Sequence, residues 1–237
     1  MKTMVLYSKM KNENFSYDTL YDTKWFEFIR RSRLFRYIPF IDFVLAAGSM
    51  AYGEVKESSD FDCLVGVKFG RIFTARFFSA LIFGLFGYRR KKLDHKEEAK
   101  NKICLNHFVT EKSYKLSPPY NDYWKNLYLN LVPIFGDKEK IDKFFETNKD
   151  WTSDIPKYAE DLRYGYKKGS FFKTVLEFIL IGFIGNTLEK ILKKYQVSRI
   201  EGGLHREEKY KPRIIYSDSE LEFHPDTRRI ENFGKII

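Results

Sequence analysis

Asp60 and Asp62 stand one residue apart in SSDFDCLVGV, residues 58–67, where a polar loop turns into an apolar run. Successive side chains of a strand alternate across the sheet, so the two carboxylates share a face while Phe61, Cys63 and Val65 point the other way. Two acids side by side repel each other until a cation comes between them. Oxygen ligands of this kind suit a hard divalent cation, Mg²⁺ or Mn²⁺, usually held together with substrate phosphates. Upstream, the apolar run DFVLAA ends in Gly48-Ser49. A glycine lets the backbone approach an anion closely, and a serine hydroxyl and N–H groups at a helix start donate to it. Gly48 and Ser49 form a turn with these capacities just upstream of the carboxylates. Ser59 is the candidate for capping or orienting the turn before Asp60, and Gly53 and Ser58 rank below these.

Several elements must position these residues. Residues 42–47 and 61–67 read as core strands, and residues 102–110, KICLNHFVT, as a third. A helical pattern covers 17–37 and is closed by Pro39, and the apolar stretch 72–88 reads as a helix that packs on the back of the sheet. A charged connector, 89–101, follows it. After Pro118-Pro119 the character changes, with helical patterns at 124–132 and 138–145 and a break at 151–156. A long amphipathic helix is expected over 171–195, where Val175, Leu176, Ile179, Phe183, Ile184, Leu188 and Leu192 recur at helical spacing. Gly182 and Gly185 permit a bend or a close approach there. The polar tail 196–237 reads as irregular or as a late-docking arm. The expected fold is α/β (α+β), a small mixed sheet with helices on one face followed by a helical C-terminal region. Its parts are residues 1–118, with a core at 40–112, and an accessory region at 119–237.

The pattern Gly48-Ser49-x-Ala51-x-Gly53, then Ser59-Asp60-x-Asp62, resembles the signature of the DNA polymerase beta-type nucleotidyltransferase superfamily. The resemblance is close over residues 44–65 and extends as a strand–turn–strand–helix–strand plan over 38–110. It implies transfer of a nucleoside monophosphate from a nucleoside triphosphate such as ATP to an acceptor hydroxyl, with pyrophosphate released. The acceptor would be RNA, a protein or a small molecule. Two metals held by carboxylates stabilise the attacking and leaving oxygens in such a reaction. By resemblance Asp60 and Asp62 are the metal ligands, and Gly48 and Ser49 contact the β and γ phosphates.

One departure stands out. Active members place a third carboxylate on a later core strand, and residues 102–110 contain no Asp or Glu. Alternation groups Cys104, Asn106, Phe108 and Thr110 on one face, and Ile103, Leu105, His107 and Val109 on the other. The more apolar set should face the helices, which turns Asn106 toward the carboxylates. An amide oxygen ligates a metal without charge, so it holds a second ion weakly. Asn106 is then a functional substitute, or an acid from elsewhere (Asp94, Glu97, Glu98 or Glu111) completes the site. Otherwise the chain binds nucleotide without efficient transfer, as a non-catalytic nucleotide- or nucleic-acid-binding protein on a degenerate transferase fold. The strand and the downstream YNDYWKNLYLNLVPIFGD are similar to a group of bacterial nucleotidyltransferase-domain proteins that carry the same Cys-x-Asn strand.

Composition sets the wider bounds. With 43% hydrophobic and 18% aromatic residues, the 237-residue chain can bury a core, which excludes a disordered chain. A net charge of +10, clustered at 30–33, 89–92, 190–194 and 206–213, favours nucleic acid, nucleotide phosphates or an anionic membrane surface. The same clusters also read as solvated helix ends, and no nucleic-acid-binding module is legible. Cys63 and Cys104 fall on expected core strands, which fits a reducing, cytoplasmic compartment. Neither cysteine has zinc-site spacing. The N-terminal MKTMVLYSKMKNEN lacks the apolar core of a signal peptide. The apolar runs 77–88 and 178–185 are shorter than the ~20 residues that span a bilayer, so no transmembrane segment is expected. Peripheral membrane contact by the first run beside its basic neighbours stays open. His95, His107, His205 and His224 have no partner at ligand or triad spacing, and His107 is expected to face the helix layer. Tyr52, Trp124 and Tyr128 could stack on a base, core packing being the ordinary use of such rings.

Overall fold

Six strands form one mixed sheet in the computed structural model, which describes residues 19–91, 99–117, 122–152, 169–204 and 213–224. In chain order these are β1 (Ile41–Ala46), β2 (Phe61–Val67), β3 (Ile103–Thr110), β4 (Val132–Gly136), β5 (Arg213–Tyr216) and β6 (Glu220–His224). Their spatial order is β4-β1-β2-β3-β6-β5, with β2 and β3 parallel and every other pair antiparallel. The α-helices among the described residues are α1 (Leu20–Ser32), α2 (Gly48–Tyr52), α3 (Ile72–Leu85), α4 (Asp122–Leu129), α5 (Lys138–Thr147), α6 (Lys149–Thr152), α7 (Phe171–Ile179) and α8 (Phe183–Leu204).

Strand alternation sorts the apolar residues into two cores. On one face Val44, Ala46, Phe61, Cys63, Val65 and Val67 pack with Trp25 and Phe28 of α1, Phe73 and Phe83 of α3 and Leu192 of α8. On the other, Phe43, Leu45, Leu64 and Val109 pack with Trp124, Leu127 and Tyr128 of α4 and Ile141 and Phe144 of α5. The helices of the expected core thus lie on one face, and α4 and α5 close the other. The region after residue 118 also supplies β4, β5 and β6, so one sheet is shared by both expected parts. Pro133 is tolerated in β4 because that strand is an edge, where a missing ladder donor costs little.

Local signals explain the helix starts. Thr19 caps α1 by accepting from Asp22 N at 3.1 Å, with Arg30 and Arg31 at the opposite end of the helix dipole. No side chain of its own caps α3. Glu189 of α8 does so instead, accepting from Phe73 N at 2.9 Å and Thr74 N at 2.8 Å.

Three expectations need correction. The helix expected over 171–195 is two helices meeting at 90°, broken where Gly182 takes φ +79°. A β-carbon at Gly185 would stand 1.7 Å from the Leu180 carbonyl oxygen, so the elbow requires glycine there. Leu180 of this elbow is buried in the first core, but its aromatic residues are not: Phe171, Phe178 and Phe183 are 85%, 80% and 84% exposed. Second, α3 buries Ile72, Phe73, Ala75 and Phe83 but leaves Leu81 and Leu85 exposed, as is Phe86 just beyond it, so only one side of it packs on the sheet. Third, the tail is not irregular throughout: residues 196–204 continue α8, and 213–224 form the β5–β6 hairpin. No single helix among the described residues is long and apolar enough to cross a membrane. The N-terminal segment, Asp94, His95, Glu97, Glu98, Pro118, Pro119, His205, the latter part of the 151–156 break and the Tyr52 side chain lie outside the described residues.

Candidate functional site at the carboxylate pair

The loop into β2 is held from three sides. Ser59 N donates to Lys56 O at 2.9 Å and Ser59 Oγ accepts from Lys56 N at 2.9 Å, closing the turn. The buried Lys24 ammonium of α1 donates to the carbonyls of Glu57 at 2.6 Å and Ser59 at 3.0 Å. Asn101 N donates to Ser59 O at 3.0 Å from the entry to β3. Ser59 therefore shapes the turn through its side chain and ties it down through its carbonyl. Phe61 then stacks on Phe28 with ring centroids 4.6 Å apart. That contact fixes the phase of β2 and sends Asp62 to the opposite face.

Gly48 sits directly over Asp62. Ala47 N donates to Asp62 O at 3.0 Å, which lays the Gly48 turn across the carboxylate. Gly48 has φ +62°, and a β-carbon there would stand 2.1 Å from Asp62 Oδ2. Backbone conformation and space both demand glycine at this position. Ser49 follows as the second residue of the five-residue α2 and is half-buried.

Three further side chains surround the pair. Arg90 Nη1 meets Asp60 Oδ2 at 2.5 Å, both side chains mostly buried. In the sequence Arg90 is one member of a basic run, and nothing there distinguishes it from its neighbours. It is placed because residues 88–90 run beside the start of β3, with Ile103 N donating to Tyr88 O at 2.7 Å and Arg90 N to Ile103 O at 3.0 Å. Asn106 Nδ2 donates to Asp62 Oδ1 at 3.2 Å, and Asp60 offers an oxygen within 4.8 Å of one on Asp62, so Asp60, Asp62 and Asn106 come together. Cys104, opposite Asp62 in the ladder, brings its thiol within 4.8 Å of that carboxylate. Burial pushes the thiol well above its ordinary range, so it is protonated.

Asn106 reaches Asp62 through a distortion that simple alternation omits. Asp62 pairs with Cys104 but Leu64 with His107, so β3 carries one extra residue, a bulge, across this step. Asn106 and His107 consequently both lie on the carboxylate side. Past the bulge the phase is reversed: Phe108 joins Ile103 in the first core and Val109 joins Leu64 in the second. The expected grouping of Phe108 with Asn106, and of His107 with Ile103 toward the helix layer, is corrected accordingly.

The electrostatics of the pair are unbalanced. Burial, and then the Asp60 charge, push the Asp62 carboxyl up to about 7, against the Cys104 thiol and the Arg90 guanidinium. A proton is therefore held near neutral pH where a multivalent cation would relieve both effects. Asp60, Asp62 and Cys104 each offer a ligand atom within 4.8 Å of the others. Two carboxylates form a hard oxygen set that fits Mg²⁺ or Mn²⁺ bound together with phosphate.

Other candidates fall elsewhere. Glu111 lies beyond the far end of β3 from Asp62. Trp124 and Tyr128 are buried in the second core, where packing accounts for them. Cys63 is buried in the first core, away from the carboxylates. No family model, curated protein or solved structure matches the chain.

Proposed function

We propose that the protein is a metal-dependent nucleotidyltransferase of the DNA polymerase beta type, moving a nucleoside monophosphate from a nucleoside triphosphate to an acceptor hydroxyl. The observation that carries this reading is the Gly48 turn lying across Asp62, with room only for hydrogen at the α-carbon. Phosphates seated on the Gly48-Ser49 turn would then lie beside the carboxylates that hold their counter-ion. Bound Mg²⁺ or Mn²⁺ supplies charge neutralisation and alignment for an in-line displacement. Asp60 and Asp62 are its protein ligands. Gly48 keeps the approach open, Ser49 donates to phosphate, and Ser59 with Lys24 holds the loop that aims Asp60. Asn106 fixes one oxygen of Asp62, and Arg90 balances Asp60 and offers a further cation to the triphosphate. The net charge of +10 supports a polyanionic substrate or acceptor, with RNA, a protein and a small molecule as the acceptor classes.

The test is calorimetric titration of a nucleoside triphosphate with and without Mg²⁺, on the parent and on the Asp60→Asn/Asp62→Asn double variant. Binding that needs the metal and vanishes in the variant is expected. Equal binding in all four arms overturns the assignment. A second reading is favoured by Asn106 standing in for a third acid and by Arg90 already neutralising Asp60: nucleotide binding without transfer. Labelled-nucleotide incorporation into RNA and protein acceptors separates the two, since the second reading predicts metal-dependent binding with no incorporation.

A further inference from the structure

On the same sheet face, one strand beyond β3, β6 turns polar residues inward. Leu221 and Phe223 pack into the first core, so alternation directs Glu220, Glu222 and His224 to the face that α4 covers. Glu222 pairs with His107 across the ladder. The arrangement groups one ligand atom from each of His107, Glu222 and His224 within 4.8 Å of one another.

The bonding of these atoms is incomplete in a telling way. Glu222 has no exposed surface. Its Oε2 accepts from Arg213 Nε at 2.7 Å. Its Oε1 stands 3.0 Å from His224 Nε2, yet both atoms are buried and neither is in a hydrogen bond of adequate geometry. A nitrogen and an oxygen bound to one tetrahedral ion at about 2.0–2.1 Å would lie roughly 3.3 Å apart, close to this separation. His107 Nε2 meets Glu220 Oε1 at 3.1 Å, the kind of carboxylate contact that orients a ligating imidazole. Trp124 of α4 sets its ring against His224, centroids 5.3 Å apart, and the Arg213 guanidinium lies 5.0 Å from the Trp124 centroid. Glu222 meets one permanent cation, Arg213, and two imidazoles that are positive only when protonated.

We propose that His107, Glu222 and His224 bind a divalent transition-metal ion of the zinc class, with a fourth position left to water. Two imidazoles and one carboxylate form the nitrogen-and-oxygen set such an ion takes, unlike the oxygen set at Asp60 and Asp62. The ion would tie β6 to β3 at the residue directly after Asn106. The site stands whether or not the transferase reading holds.

The test uses the full chain, stripped with a chelator and titrated with Zn²⁺ against a chromophoric competitor. Stoichiometric binding of one ion is expected, with a zinc-edge absorption spectrum showing histidine ligation. His224→Ala, at the partly exposed end of β6, and Glu222→Gln should each weaken binding by about 100-fold or more, since even outer partners of a metal site are worth 10–100-fold. Circular dichroism checks the fold of each variant, and His224→Ala is the arm that does not disturb a fully buried group. Asp62→Asn and Cys104→Ser should leave Zn²⁺ affinity unchanged. No stoichiometric binding to the parent at micromolar protein overturns the proposal. So does binding that survives both His224→Ala and Glu222→Gln, or binding lost in Cys104→Ser.

Discussion

Asp62 and Glu222 project from the same face of one sheet, on strands separated only by β3, Glu222 fully buried and Asp62 partly so. Burial, the largest influence on each, works upward on both. At Asp62 the nearby Asp60 charge adds to it, and the carboxyl rises to about 7. At Glu222 the His224 and His107 imidazoles and the Arg213 guanidinium outweigh burial and hold the group at about 2. What decides the ionisation of a buried acid here is therefore the sign of its neighbours. A site ringed by acids and a thiol favours a hard cation carrying phosphate. Beside Glu222, Arg213 and the imidazoles in their protonated form keep the carboxylate ionised, and the same imidazoles, once deprotonated, offer nitrogen ligands.

The contrast is tested most strongly by the pH dependence of stability in chelator-treated protein. For Asp62 the folded value, about 7, lies above the unfolded 3.8. Between these the folded state retains a proton the unfolded chain has released, so stability falls as pH rises from about 4 to 7. The loss is at most about 4 kcal/mol, at 1.36 kcal/mol per pKa unit. Glu222 behaves oppositely, with a folded value of about 2 below the unfolded 4.5. It contributes up to about 3 kcal/mol that is present above pH 4.5 and lost as pH falls through 2. Denaturant titrations from pH 4 to 8 should show Asp62→Asn more stable than the parent at pH 8 and nearly equal at pH 4. Glu222→Gln should be less stable than the parent at pH 7. Parallel curves for parent and Asp62→Asn would mean that Asp62 is not raised and that the two sites do not differ as described.

The two sites also differ in how far they could be read beforehand. The Asp60/Asp62 pair was legible because an apolar run with a glycine-serine stop precedes it, and Phe61, Cys63 and Val65 mark the opposite face. β1, β2, α3 and β3 follow from similar punctuation. The Glu222 cluster was not legible, because inward polar residues at alternate positions of ELEFH look the same as solvent-facing ones. Only the tertiary fold reveals that α4 covers them. The bulge that brings Asn106 and His107 to one side has no glycine or proline to announce it. Arg90 finds Asp60 through a backbone path along β3, and helical spacing over 171–195 continues straight through the break at Gly182.

A second test asks whether the Asp62 site depends on the close approach of the turn. Gly48→Ala requires a side chain at φ +62° and a carbon only 2.1 Å from Asp62 Oδ2. Backbone strain alone costs about 1–3 kcal/mol. Displacement of the turn should also abolish metal-dependent triphosphate binding while leaving Zn²⁺ affinity at the histidine cluster as it was. Gly70→Ala, also at positive φ but with open space around it, is the control for backbone strain without the clash. If both variants lose similar stability and both keep triphosphate binding, Gly48 serves the turn and not the ligand.

The finest test changes one atom type. Asn106 donates to Asp62 Oδ1, the only role for which the geometry gives direct evidence, and an aspartate there cannot donate when ionised. In metal-free protein Asn106→Asp should cost about 1 kcal/mol from the lost hydrogen bond, with further loss from a third clustered charge. Asp62 should be pushed higher still, extending the fall of stability to higher pH. Added Mg²⁺ or Mn²⁺ should reverse the order, because three carboxylates bind a hard cation better than two and an amide. The variant should therefore melt below the parent in chelator and gain more on metal addition, and any incorporation of labelled nucleotide should rise. Asn106→Ala separates the contributions: it loses the hydrogen bond without gaining charge, so it should share the lower melting point but not the larger response to metal. Should Asn106→Asp and Asn106→Ala respond alike to Mg²⁺ and Mn²⁺, position 106 does not reach the ion and acts only by holding Asp62 in place.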